Sequence, residues 1–174
     1  MLEQELRDCI KEIPDFPKPG ISFKDITPIL SNPVLCHKCV EAMAEWAKGL
    51  NPDIIAGVES RGFMFGFALA QKLNIPFVPI RKPGKLPREV FSCSYDLEYG
   101  SATLELHKED IKPDARVIVH DDLLATGGTV SAAIKLIESA GAEVIATQFL
   151  VELSFLNGDT SFAQKLEKHS LVSY

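Results

Sequence analysis

VIVHDDLLATGGTVSAAIKLIESAG, residues 117–141, is the stretch on which the reading of the whole chain turns. Val117, Ile118 and Val119 are β-branched and apolar, the composition of a buried strand. Two carboxylates follow, Asp121 and Asp122, then the loop Ala125, Thr126, Gly127, Gly128 and Thr129. Beyond it TVSAAIKLIESA, residues 129–140, reads as a helix closed by Gly141, the position at which helices favour a left-handed residue. Glycines let backbone amides converge in such a loop, threonine hydroxyls add donors, and the helix dipole favours an anion, so the loop suits a monophosphate. A tight strand-to-helix turn would use the same glycines, and the acidic pair is what tips the balance. Two carboxylates facing water at a strand end repel each other and any phosphate unless hydroxyl donors or a cation stand between them. Vicinal sugar hydroxyls are such donors and magnesium is such a cation. The stretch reads as a site for one phosphorylated sugar.

Three further apolar runs, DIIAGV (53–58), IPFVPI (75–80) and EVIATQFLVEL (143–153), join ARVIV (115–119) as predicted strands. They alternate with helical stretches, FMFGFALAQKL (63–73) among them, which implies an α/β fold with a central parallel sheet flanked by helices. Ligands of such sheets bind beyond the carboxyl ends of the strands. Leu2, Leu6, Cys9, Ile10 and Ile13 predict a helix over residues 2–13, ended by PDFPKPG. Asn32 caps and Pro33 opens a second helix, which reaches about Leu50. Residues 88–108 alternate around Tyr99-Gly100 and predict a β-hairpin flap. The tail after Val151, with Asn157-Gly158 as a turn, carries no readable chemistry. With 174 residues the chain is expected to form a single domain.

Hydrophobic residues at 46% and charged residues at 24% describe an ordinary globule. A net charge of −6 argues against a nucleic-acid binder. No apolar run approaches the roughly 20 residues of a membrane span, and MLEQELRDCIKEI has no signal-peptide core, so the expectation is no membrane and a cytoplasmic location. The basic run RKPGKLPR, residues 81–88, could draw an anion locally or be a solvated loop. Cys36 and Cys39 form one CxxC with no second pair, and the helical period sets Cys39 with Leu35, Met43 and Trp46, so small packed side chains are the reading rather than metal or redox chemistry. Neither GxxxxGK[ST] nor GxGxxG occurs.

VIVHDDLLATGGT resembles the phosphoribosyl pyrophosphate (PRPP) signature of the type I phosphoribosyltransferases. FPKPGISFKDITPIL, ESRGFMFG, IRKPGKLP and SYDLEYG resemble, in order, segments of the adenine-using branch of that family. The resemblance implies a type I phosphoribosyltransferase fold with a small N-terminal hood, residues 1–32, and a flexible flap, residues 88–108. It implies purine salvage: adenine and PRPP give AMP and pyrophosphate, with magnesium as cofactor, held mainly through PRPP, water and the region of Asp121 and Asp122. By the same resemblance Asp121 and Asp122 bind the ribose hydroxyls, and Ala125, Thr126, Gly127, Gly128 and Thr129 hold the 5′-phosphate. Glu59, Ser60, Arg61 and Gly62 form a pyrophosphate loop whose first peptide bond is often cis in the family, joined by Arg81, Lys82 and Lys85, some of them from a second subunit of a homodimer. Phe23 and Leu123 sandwich the purine, Ser22 and Lys24 read its edge through backbone groups, and Glu98 is the catalytic acid beside Tyr99. Two positions depart from the pattern. His120 stands where the signature has an apolar residue and reads as a histidine satisfied at the strand end; Lys24 stands where some members have arginine. A 6-oxopurine acceptor and a non-catalytic PRPP sensor are the competing readings.

Overall fold

The apolar runs assemble into one parallel sheet, buried on both faces at residues 54–58 and fully on one face at the edge run 77–80. The computed structural model describes residues 1–96, 101–162 and 166–174. Its helices are α1 (Leu2–Cys9), α2 (Thr27–Leu30), α3 (Pro33–Lys48), α4 (Gly62–Leu73) and α5 (Gly128–Ser139). Its strands are β1 (Lys11–Ile13), β2 (Phe23–Asp25), β3 (Ile54–Val58), β4 (Phe77–Ile80), β5 (Val90–Asp96), β6 (Ser101–His107), β7 (Arg116–Leu124), β8 (Glu143–Glu152) and β9 (Glu167–Ser173). The sheet runs β4-β3-β7-β8-β9, all parallel, while β1-β2 and β5-β6 are separate antiparallel pairs. Alternation shows directly in β3 and β7. Ile54, Ala56, Val58, Val117 and Val119 pack toward α5 and the β5-β6 pair. Ile55 and Ile118 pack toward α1, α3 and α4 on the opposite face.

Three boundaries differ from the sequence-based expectation. The helix predicted over residues 2–13 stops at Cys9, because Ile10 turns extended and Lys11–Ile13 pair with Phe23–Asp25. Ile13 belongs to that hairpin and is exposed, so the apolar period ran on through a change of element. β7 continues past Val119 through the acidic pair to Leu124, since β8 extends alongside it and pairs Asp121 with Phe149 and Leu123 with Val151. The tail supplies a fifth sheet strand, β9, that the sequence reading left unassigned; its burial is intermediate at most positions, which blurs the apolar pattern of an edge strand. Two helix ends are as expected: Asn32 Oδ1 accepts from Leu35 N at 3.1 Å to cap α3, and Gly141 sits at φ 84° after α5. β5 and β6 pair as the predicted hairpin, with Leu97–Gly100 outside the described residues.

Candidate active site

The carboxyl ends of β3, β4 and β7 open onto one edge of the sheet, and the loops that follow them carry the chemistry. After β7 the chain turns through Gly127, at φ 79°, and enters α5 at Gly128. Ala125 to Thr129 wrap a small cleft of about 80 Å³ at this helix N-terminus, a space of phosphate size. The loop is backed from below by Gly158: a Cβ there would lie 2.0 Å from the Ala125 carbonyl oxygen and 3.1 Å from Gly127 N. Asn157-Gly158 was legible only as a turn; its pressing against the phosphate loop depends on where the tail folds. Tyr95, near the end of β5, adds a hydroxyl 3.3 Å from Thr129 Oγ1, tying the far end of the hairpin strands to the same loop.

A second cleft of about 310 Å³ adjoins the first and shares Asp121, Leu123 and Thr129 with it. Glu59, Ser60, Arg61, Lys82 and Asp122 complete its wall. The acidic pair does not face water as expected: Asp122 is 4% exposed and Asp121 is half-buried, because both still belong to β7 under the loop from β3. Asp121 Oδ1 accepts from Asp122 N at 2.8 Å. The cation between the carboxylates and the rest of the site is Arg61, with Nε 3.0 Å from Asp122 Oδ2. That oxygen accepts no hydrogen bond among the described residues, so a buried acceptor remains open for a hydroxyl donor. Burial, joined by the neighbouring Asp122 charge, holds the Asp121 carboxyl well above its usual range. Burial raises Asp122 also, opposed by the Arg61 guanidinium. Sugar hydroxyls or a cation would relieve both effects.

On the opposite wall the Glu59-Ser60 peptide is cis, as the resemblance implies. Glu59 holds the loop rather than facing outward. Its carboxylate accepts from Lys82 N at 2.9 Å and pairs with Arg81 at two contacts of 3.3 Å. The Lys82 amide above all, and then Arg81, hold its pKa below the usual carboxylate range. Lys82 therefore enters the cleft while Arg81 braces it, and Lys85 is exposed outside both clefts. Gly62 is required by close approach, since a Cβ there would lie 3.0 Å from Asp121 Oδ1.

Of the purine-binding candidates, Leu123 lines both clefts. Phe23 presents its ring to the Arg61 guanidinium, whose carbon lies 5.0 Å from the ring centre. One side chain thus reaches from the acidic pair to the aromatic surface. Ser22 donates to Glu12 and is exposed; Lys24 is 6% exposed and turns its ammonium inward, 2.9 Å from Glu12 Oε2. Glu98 and Tyr99 lie outside the described residues. His120 corrects a second expectation. It is fully buried, and neither ring nitrogen has a hydrogen-bond partner among the described residues, because the ring enters the α4 face, where Gly66 leaves room beside it. Burial lowers its pKa to about 4. No cluster of three or more His, Cys, Asp or Glu side chains forms among the described residues, so protein ligands alone do not make a cation site. Two carboxylates beside a cleft fit magnesium that takes its remaining oxygens from substrate and water.

A glycine-rich turn into a helix N-terminus and a buried acidic pair, meeting at the carboxyl edge of a parallel sheet, fit a protein that handles a phosphorylated sugar. Residues 26–162 match the phosphoribosyl transferase domain, and the chain belongs to that family. Adenine phosphoribosyltransferase of Francisella philomiragia is 56% identical to it, over 97% of each chain. Among solved structures, adenine phosphoribosyltransferase of Thermoanaerobacter pseudethanolicus superposes with a TM-score of 0.96 at 47% identity, covering 100% of both chains. That of Saccharomyces cerevisiae, complexed with an imino-altritol bisphosphate and adenine, gives 0.93 at 40% identity over 98% of both.

Proposed function

We infer that the chain transfers the 5-phosphoribosyl group from PRPP to adenine, releasing pyrophosphate and AMP in purine salvage. The observation that carries the reading is the position of Asp121 and Asp122 between a phosphate-sized cleft and the Glu59–Gly62 loop, within a chain alike over its full length to adenine phosphoribosyltransferases. The 5′-phosphate rests on the amides and hydroxyls of Ala125–Thr129, and the ribose hydroxyls donate to the carboxylates. Displacement at the anomeric carbon builds positive charge on the ribose while negative charge departs on pyrophosphate. Asp121 and Asp122 lie where the first develops, Arg61, Lys82 and the Ser60–Gly62 backbone where the second does. Magnesium, held through substrate oxygens and water beside the acidic pair, supplies further positive charge against the pyrophosphate. Adenine stacks between Phe23 and Leu123, beside the Arg61 guanidinium that lies 5.0 Å from the Phe23 ring centre. Ser22 and Lys24 offer backbone groups to its edge, and Glu98 with Tyr99, on the flap of residues 88–108, acts at the base as proton carrier while the flap excludes water.

The chain works as one domain, residues 1–174, with residues 1–32 as a hood over the base. It is a homodimer in the cytoplasm. Four free cysteines favour a reducing compartment, and no helix among the described residues is long and apolar enough to cross a membrane. Pyrophosphate release from PRPP and magnesium, with adenine, hypoxanthine, guanine or no base, tests the reading. Release with adenine alone is expected. Faster turnover of hypoxanthine would overturn the acceptor, and PRPP binding without release under any base would overturn the transferase.

A further inference from the structure

A stacking surface is only as well placed as the strand that carries it. Phe23 lies on β2, three residues long, whose one strand partner is β1, also of three residues and exposed throughout. A hairpin of that size does not hold itself in water. The residue after Phe23 points to the other side of the strand and is anchored. Lys24 is 6% exposed, and its ammonium lies 2.9 Å from Glu12 Oε2 and 4.3 Å from the centre of the Tyr174 ring. Arg7 of α1 stands over the same ring at 4.9 Å and donates to the Ser173 carbonyl. The Tyr174 backbone is fixed to the sheet's end: its N–H donates to the Glu152 carbonyl at 2.8 Å, and its carbonyl accepts from Ser154 N at 2.9 Å. One aromatic ring, held by the sheet, therefore meets a cation from the hood's helix and a cation from its base-binding strand.

We propose that Tyr174 is a positioning residue for the purine: its ring seats the Lys24 ammonium and so fixes β2 and the Phe23 face relative to the ribose site. A buried ammonium needs compensation, and here it has one carboxylate and one ring face. An aliphatic side chain at 174 keeps apolar bulk but removes the face, leaving Lys24 to reorient toward water and carry β2 with it. The effect falls on adenine before PRPP, whose phosphate, ribose and pyrophosphate contacts come from β7, α5 and the loops after β3 and β4, with Arg61 held to Asp122 independently of Phe23. The proposal rests on the reading of Phe23 as the purine's stacking surface.

Tyr174→Phe, Tyr174→Leu, Lys24→Met and Phe23→Ala in the full chain test it by separate KM values for adenine and PRPP with magnesium. We expect Tyr174→Leu to raise the adenine KM about tenfold, the order set by a desolvated cation–π contact, with the PRPP KM within about twofold. Tyr174→Phe keeps the ring and should stay within about twofold on both. An unchanged adenine KM in Tyr174→Leu, or equal rises in both KM values, would overturn the proposal, as would a Phe variant as impaired as the Leu variant. Should Tyr174→Leu fail to fold, Lys24→Met decides: it leaves ring and sheet intact, and an adenine KM equal to that of the parent would overturn the proposal. Phe23→Ala separates the two layers. If it leaves the adenine KM unchanged, the stacking surface itself is misassigned; if it raises that KM while Tyr174→Leu does not, only the role of Tyr174 falls.

Discussion

Asp122 and His120 are neighbours on one strand and meet opposite demands from burial. Asp122 is buried with Arg61 as its ion partner, and its Oδ2 accepts no hydrogen bond among the described residues. Asn in its place removes a charge that burial already disfavours, at nearly the same volume. We expect Asp122→Asn to lower kcat by roughly 100-fold, the scale of losing one preorganised charge contact, while the thermal midpoint holds or rises. Steady-state kinetics beside calorimetry checks this, and undiminished turnover would remove Asp122 from the ribose site. His120 has no such use on view, only a cost that appears in acid. The fold keeps its ring neutral down to about pH 4, whereas an unfolded chain protonates it near 6.5. The folded pKa is the lower of the two, so the unfolded state takes up the proton first. The stability at stake, about 3 kcal/mol, is complete above pH 6.5 and is lost as pH falls toward 4. His120→Leu should flatten that part of a denaturant-stability profile against pH; a slope equal to that of the parent would assign the acid loss to other groups.

Elements were legible where local pattern and final environment agree. The runs at 53–58, 75–80, 115–119 and 143–153 became strands because a parallel sheet buries both faces, and a two-faced apolar run says so without tertiary help. The Ala125–Thr129 turn into α5 was legible for the same reason: its shape is set by its own glycines and the helix that follows. What the sequence did not carry was set by distant partners. β9 is an edge strand recognisable by its pairing with β8, and Glu59 proved to be a brace for Arg81 and Lys82 because β3 and β4 are neighbours. Asp122 turned out buried since the loop after β3 closes over the end of β7. Gly158 is the sharpest case. The segment beginning there presses on the phosphate loop, and its missing side chain makes room for backbone, not for a movable side chain. Gly158→Ala should therefore push Ala125 and Gly127 out of place, costing about 1–3 kcal/mol of stability and raising the PRPP KM more than that of adenine. Thermal unfolding and the two KM values read this; a PRPP KM left where it was would mean that the loop yields without loss of its phosphate geometry.

On the surface of the whole molecule, α4 carries an apolar flank. Phe67 is 53% and Met64 38% exposed, beside Phe63 and Phe77, whose rings meet edge to face at 5.8 Å; Phe67 and Phe77 do so at 6.0 Å. A grouped patch of this kind on a chain with net charge −6 marks a covered face more readily than scattered single exposures would. The patch begins one residue after Gly62, so a partner that covers it would lie next to the Glu59–Gly62 loop. A second copy of the chain is the covering that the proposed homodimer would supply, and in that arrangement assembly would bear on the Glu59–Gly62 loop. Phe67→Asp with Met64→Asp places two charges in that face without touching either cleft. We expect sedimentation to show a dimer for the parent and a monomer for the double variant, with the PRPP KM raised at least severalfold as the loop loses its support. A monomeric parent would dismiss the homodimer altogether. A double variant that remains dimeric would move the interface to another face of the molecule, and one that becomes monomeric with unchanged kinetics would show that each chain's pyrophosphate loop stands on its own sheet.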